Sequence, residues 1–199
     1  LIEDAAERLG SYYKGQHTGT FGDFGAISFN GNKIITTGGG GMVLCASKDS
    51  KRTVKHVTTT AKVVHPYEFY HDEAGFNYRM PNLNAALGYG QLEVLGSHLL
   101  KKRQLAMHYK QFFQGSDYGF FDEPVNAESN FWLNTVVCTD LVARDEFIKG
   151  TNSLGIMTRP IWQLMHRLPM FQNAQRGTLE NSEWFEARAV NIPSSPVEL

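Results

Sequence analysis

The chain has 199 residues, with 19 Lys+Arg against 20 Asp+Glu, 7 His, 2 Cys and 42% hydrophobic residues, for a formal net charge of -1. That apolar content can fill a core and excludes a disordered chain, while the interspersed, near-zero charge lacks the basic footprint that a phosphate backbone requires. Apolar runs are short and broken by Gly, Asn or charge, and the first ten residues carry acids, so a soluble cytoplasmic protein is expected, with no membrane span, targeting segment or bound nucleic acid.

Leu1-Ile2 leads into Glu3-Asp4-Ala5-Ala6-Glu7, the pattern of a buried strand ending in polar groups at its C-terminal edge. An Asp at such an exit can hold a cationic ring nitrogen by a charge-assisted hydrogen bond, and Ala5 and Ala6 leave space beside Asp4; a helix cap or surface turn is the alternative. Residues 24–29 read as a second strand and Gly41 to Ala46 as a third. Between them, Ser28-Phe29-Asn30-Gly31-Asn32-Lys33 puts a Lys in a Gly- and Asn-rich turn at a strand end. Held in a cleft, that amine can serve as a nucleophile and proton carrier; a solvent-facing Lys is the alternative. Thr36-Thr37-Gly38-Gly39-Gly40-Gly41 lacks a following Gly-Lys-Ser/Thr and runs into a strand, so the glycines shape the Lys loop and are not expected to cradle ATP.

Ser50 to Ala61 reads as a short helix, and Val63 to Tyr78 as a long ordered loop that carries His65 and His71. Gly75-Phe76-Asn77-Tyr78-Arg79-Met80-Pro81-Asn82 gathers amide, phenol and guanidinium groups just before a helix, a set able to bind phosphate or carboxylate; capping by Asn82 with a surface Arg79 is the alternative. Pro81 opens a long, mostly buried helix whose apolar stripe is Leu83, Ala86, Leu87, Gly90 and Val94, widened by Leu92, Leu95 and Leu99. Gly88 and Gly90 allow another element to approach it closely. Beyond Gly115 a small α+β domain is expected, with a strand in Phe131 to Cys138, helix around Asp145 to Lys149, and an edge or connecting strand in Leu154 to Thr158. A helix over Leu179 to Val190 and an extended Asn191 to Pro196 complete it. Cys45 and Cys138 have no paired spacing and read as buried small residues in a reducing compartment. The histidines show no metal-ligand spacing and no GxSxG elbow is present, so neither a metal nor a nucleophilic Ser is expected. Arg159 and His166 can reach a charged or sugar ligand, with an interdomain salt bridge as the alternative.

Taken in order, Glu3-Asp4-Ala5-Ala6-Glu7, Gly19-Thr20-Phe21-Gly22-Asp23, Ser28 to Lys33 with Thr37 to Gly41, and Asn77 to Pro81 with Asn84-Ala85-Ala86-Leu87-Gly88 resemble the DegT-type nucleotide-sugar aminotransferases. The likeness continues through Arg159-Pro160-Ile161-Trp162 to Asn191-Ile192-Pro193-Ser194-Ser195. The resemblance implies a pyridoxal-phosphate enzyme of α/β class: the C-terminal part of a fold type I (aspartate-aminotransferase) large domain over residues 1–105, then a small α+β domain over 106–199. Lys33 matches the Schiff-base lysine, Asp4 the acid on the pyridine nitrogen, Ser28 a phosphate-binding hydroxyl, and Asn77 the amide that reaches the neighbouring subunit's cofactor phosphate. With Ala6 these are the expected cofactor contacts, and Glu7, Asn32, Arg79, Arg159 and His166 the expected substrate contacts. A related dehydratase branch has His where this chain has Lys33, which favours transamination.

The SFNGNKIITTGGGG run and Thr60 to Pro66 most resemble enzymes that aminate UDP-linked 4-keto-6-deoxy-N-acetylhexosamines on routes to bacillosamine or legionaminic acid, for surface glycans, with glutamate as donor. The resemblance also implies a homodimer with shared active sites. Family members carry a longer N-terminal part that holds a phosphate-binding helix start and a ring-stacking aromatic. The chain is therefore expected to be a C-terminal half, and an incomplete fragment that binds a partner chain supplying the N-terminal half is the alternative to an enzyme acting by itself.

Overall fold

The computed structural model describes residues 1–196. Its strands and helices in chain order are β1 (Ile2–Asp4), β2 (Tyr12–Tyr13), β3 (Gln16–His17), β4 (Phe24–Ser28), β5 (Gly41–Cys45), α1 (Lys48–Thr58), β6 (Lys62–Val63), β7 (Tyr70–His71) and α2 (Asn82–Phe113). There follow β8 (Gly119–Phe120), β9 (Ala127–Glu128), β10 (Asn134–Val137), α3 (Leu141–Ser153), β11 (Arg159–Pro160), α4 (Glu180–Glu186) and β12 (Ala189–Ile192). They pack as two units, Leu1–Leu100 with Pro124–Trp132, and Lys101–Glu123 with the chain from Leu133 onward. Residues 124–132 thus return to the first unit.

In the first unit β1 lies parallel to β4, with Asp4 opposite Ala26, and β4 lies antiparallel to β5, with Ser28 opposite Gly41. Ala5, Ile27, Phe29 and Ile35 form the core under this sheet, joined by Leu9, Ile34, Leu44, Met80 and Leu95. The buried first strand expected from Leu1-Ile2 is instead an exposed one, with Leu1 and Ile2 at 77% and 74% exposure, because β1 pairs with β4 alone. Glu3 pins the return loop: its carboxylate accepts the N–H groups of Gly19, Phe21 and Gly22 at 2.6–2.8 Å. Burial pushes the Glu3 pKa up, but these three backbone donors outweigh it and hold the carboxyl below its usual range.

Ser47 caps α1 through its side chain on the Ser50 N–H. The expected long loop after it contains a β6–β7 hairpin, anchored where His56 Nε2 meets Asp72 Oδ1 at 2.6 Å and His71 Nδ1 meets the Thr60 carbonyl at 2.7 Å. The long helix forms, but its buried stripe differs from the expected one. Leu83, Ala86, Leu87, Gly90 and Val94 are exposed, and Asn84, Gly88, Gln91, Leu95 and Leu99 line the covered side. The reason lies in the neighbour. The Lys loop presents backbone polar groups, so Asn84 donates to the Thr37 carbonyl at 2.5 Å and Gln91 accepts the Thr36 N–H at 3.4 Å. Gly88 allows the approach: a Cβ there would lie 2.7 Å from Thr37 Cγ2, whereas one at Gly90 would meet nothing within 4 Å.

The second unit is α+β. Its four-stranded sheet runs in the order β11-β12-β10-β8, and Phe113, Val136, Cys138, Val190 and Ile192 form its core. Asp140 caps α3 through the Ala143 N–H at 2.9 Å. The edge strand is Arg159–Pro160, while Leu154 to Thr158 is a turn and loop after α3, closed by Asn152 Nδ2 on the Thr158 carbonyl at 3.0 Å. The last helix stops at Glu186, short of Val190, because Ala189–Ile192 pairs with β10 and β11 and buries Val190 completely. Cys138 is buried, which pushes its thiol pKa up, and Cys45 is only part-buried.

Candidate active site

The C-terminal ends of β1 and β4 lie side by side, and the loop after β4 carries Lys33 back over that edge. The loop is closed on itself: Phe29 donates to the Gly40 carbonyl at 3.0 Å and accepts the Thr37 N–H at 3.0 Å. Gly40 turns the chain with φ +88°, a conformation that side-chain-bearing residues rarely adopt. Lys33 therefore leaves a rigid loop, and its side chain is only 12% exposed. Its ammonium pairs with Glu7, and the Trp132 ring lies over it at 4.5 Å. Trp132 also donates its indole N–H to the Asn32 carbonyl at 2.6 Å.

Asp4 stands exposed at the end of β1 with Oδ1 accepting the Ala6 N–H at 3.2 Å, next to the buried Ala5. Ser28, part-buried at the end of β4, accepts the Asn30 N–H at 3.3 Å. Asn32 holds Trp132 through its carbonyl, while its side-chain oxygen accepts from Asn30 Nδ2 at 3.4 Å. Asp4, Ala6, Glu7, Ser28, Asn32 and Lys33 thus belong to one strand-end edge. A carboxylate, a hydroxyl and a fixed amine beside small side chains suit a flat heteroaromatic aldehyde bearing a phosphate, so the residues present fit pyridoxal phosphate.

Asn77 and Arg79 fall elsewhere. Both are exposed and line an open cleft of about 860 Å³ with Gly39 to Gly41, Lys51 and Lys55, apart from Lys33. Asn77 is held in place by a bridge to Thr59. Arg159 and His166 belong to the second unit. There Arg159 is exposed on β11, with Nη2 3.4 Å from Met157 Sδ, and His166 lies 3.6 Å from Glu183. Two contributors have no signal in the sequence: Trp132, and Asn130, whose amide donates to the carbonyls of Glu7 at 2.7 Å and Leu9 at 2.9 Å.

The family model for the DegT/DnrJ/EryC1/StrS aminotransferases matches residues 1–197. The chain belongs to this family. Among its relatives, EpsN of Bacillus subtilis (strain 168) is 38% identical over 177 residues, which covers 87% of this chain and 45% of that protein. The GDP-perosamine synthase of Escherichia coli O157:H7 is 35% identical over 198 residues, covering 98% of this chain and 53% of that one. The chain spans about half the length of these DegT-family relatives. Among solved structures, the aminotransferase TlmJ from Streptoalloteichus hindustanus superposes with TM-score 0.91 at 22% identity, over 100% of this chain and 54% of that one. The fold is that of part of a fold type I aminotransferase.

Proposed function

We propose that this chain is the lysine-bearing part of a pyridoxal-phosphate-dependent nucleotide-sugar aminotransferase. The reaction moves an amino group from L-glutamate to C4 of a UDP-linked 4-keto-6-deoxy-N-acetylhexosamine, in a cytoplasmic homodimer with shared sites. The observation that carries this reading is Lys33, shielded and ion-paired at the edge where Asp4 and Ser28 end their strands.

Bound pyridoxal phosphate supplies an electron sink for proton removal next to the transferred nitrogen. Lys33 would hold the cofactor through Nζ and, as the free amine, would carry a proton at that atom. Glu7 receives the Lys33 ammonium whenever the amine is released, which keeps it beside the reacting centre. Asp4 would hold the ring nitrogen, and the Ser28 hydroxyl would hold the phosphate. Asn77, exposed on an open cleft that Lys33 does not line, is assigned to the cofactor phosphate of a partner copy. Arg79 and Asn32 of the first unit are assigned to the sugar nucleotide, whose diphosphate suits a guanidinium.

A GDP-linked keto sugar is the second reading, favoured by the 33–35% identity to three GDP-perosamine synthases. Adding pyridoxal phosphate should give a visible absorption band, and borohydride reduction should fix the label on the peptide containing Lys33. Glutamate should bleach the band, and the UDP-linked keto sugar, not the GDP-linked one, should restore it. Lys33→Ala should abolish the label and lower transamination by more than about a hundredfold. A label on another lysine, or an unchanged band in Lys33→Ala, removes the assignment; restoration by the GDP sugar alone selects the second reading.

A further inference from the structure

The segment 130–132 comes from far along the chain, yet it meets both sides of the Lys33 edge. Asn130 is buried and spends its side-chain amide on Glu7 and Leu9, its backbone N–H on Ser11 Oγ at 3.0 Å, and its side-chain oxygen on the Trp132 N–H at 2.9 Å. Phe131 between them adopts φ +44°, which a bulky side chain accepts only when its surroundings dictate it, and it is 8% exposed. Backbone strain of this kind lies between two residues that both hold the lysine's neighbours. Trp132 then uses both of its chemical faculties on one loop: the ring face on the Lys33 ammonium at 4.5 Å, and the ring N–H on the Asn32 carbonyl at 2.6 Å.

We propose that Trp132 is a positioning residue for Lys33: the indole covers the amine while its N–H fixes the preceding carbonyl, so that segment 130–132 decides where the amine points. Glu7 and Trp132 together leave the side chain little freedom. Phe at this position keeps the ring face and loses the N–H; Leu loses both. That Lys33 is the reactive amine rests on the function proposed above, but the hold itself exists in the chain without cofactor.

The test is amine labelling of the cofactor-free protein with an acylating reagent, each lysine quantified by peptide mass spectrometry. Relative to wild type, Lys33 should label about threefold faster in Trp132→Phe and about tenfold faster in Trp132→Leu. Lys102, at 4% exposure in the second unit, should keep its slow rate and so report that this unit has not loosened. In ¹H–¹⁵N spectra the Trp132 indole N–H should shift in Lys33→Met, a coupling that a merely structural tryptophan would not show. Equal Lys33 rates in wild type and both variants, or faster labelling of Lys102 in parallel with Lys33, overturns the proposal. Should Trp132→Leu fail to fold, Trp132→Phe decides, an unchanged rate being the refutation. Wild-type protein that takes no cofactor on Lys33, with the labelling differences intact, would remove the function and leave the positioning role. Cofactor capture with unchanged labelling would do the reverse.

Discussion

Lys102 shows what burial does to one charge. Its Nζ donates to the Ser194 carbonyl at 2.5 Å, and burial lowers its pKa from 10.5 to about 8. Because the folded value lies below the unfolded one, the unfolded chain binds the extra proton between about pH 8 and 10.5, and stability attributable to this group rises with pH across that window. Urea midpoints of wild type relative to Lys102→Met should therefore climb from pH 8 to 10.5; parallel curves would mean that the lysine titrates alike in both states. At the same scale, the amine of the candidate site was legible: a Lys in a Gly- and Asn-rich turn after a strand is placed at the strand end by the turn, although the turn does not decide where its side chain points. Glu7 was visible as part of the same motif as Asp4, though not as the partner of Lys33. Trp132 was not legible, because its bond to Asn32 spans 100 residues and no local periodicity encodes it.

At the scale of elements, α2 separates existence from orientation. Pro81, the apolar spacing and the length were enough to place a long helix, since those are local properties. Which side faces inward was decided by the Lys loop, whose carbonyl and N–H groups need Asn84 and Gln91, residues that a hydrophobic pattern counts as outward. The two glycines measure this. Gly88→Ala puts a methyl 2.7 Å from Thr37 Cγ2 and should destabilise by about 1–3 kcal/mol, with more exchangeable amides at 36–38. Gly90→Ala meets nothing and should stabilise by about 1 kcal/mol through helix propensity. Thermal unfolding of both variants checks the sign; equal effects would remove the close contact as the reason for glycine at 88. Short elements such as β11 and β12 were displaced for a related cause: Leu154 to Thr158 and Ala189 to Ile192 are both apolar enough to be strands, and only the available pairing edge of β10 and β12 distinguishes them.

Over the whole molecule, α2 and the β6–β7 hairpin both leave large apolar side chains exposed. Leu83 is 86% exposed, with Leu87 one turn further along the same face of α2, and the β6–β7 hairpin exposes Val64, Tyr67, Phe69 and Tyr70. A second copy of the chain is the proposed cover, since Asn77 and Arg79 stand on the adjoining stretch. If that second copy covers the face, Leu83→Glu with Leu87→Glu should lower the mass by light scattering to that of a monomer, at unchanged circular dichroism, because two carboxylates cannot be buried there unpaired. A mass that does not change would place the interface elsewhere. Among the described residues no helix is long and apolar enough to cross a membrane. The sequence by itself determined the lysine loop and the long helix, and its ordered motifs carried the resemblance that implied the family and the fold class. The loop and the helix are local: turn chemistry and helix period need only near neighbours. The tertiary structure alone decided the exposed face of α2, the return of residues 124–132 to the first unit, and the enclosure of Lys33 by Glu7 and Trp132. Those are contacts between residues far apart in the chain, and their geometry exists only once the backbone has brought them together.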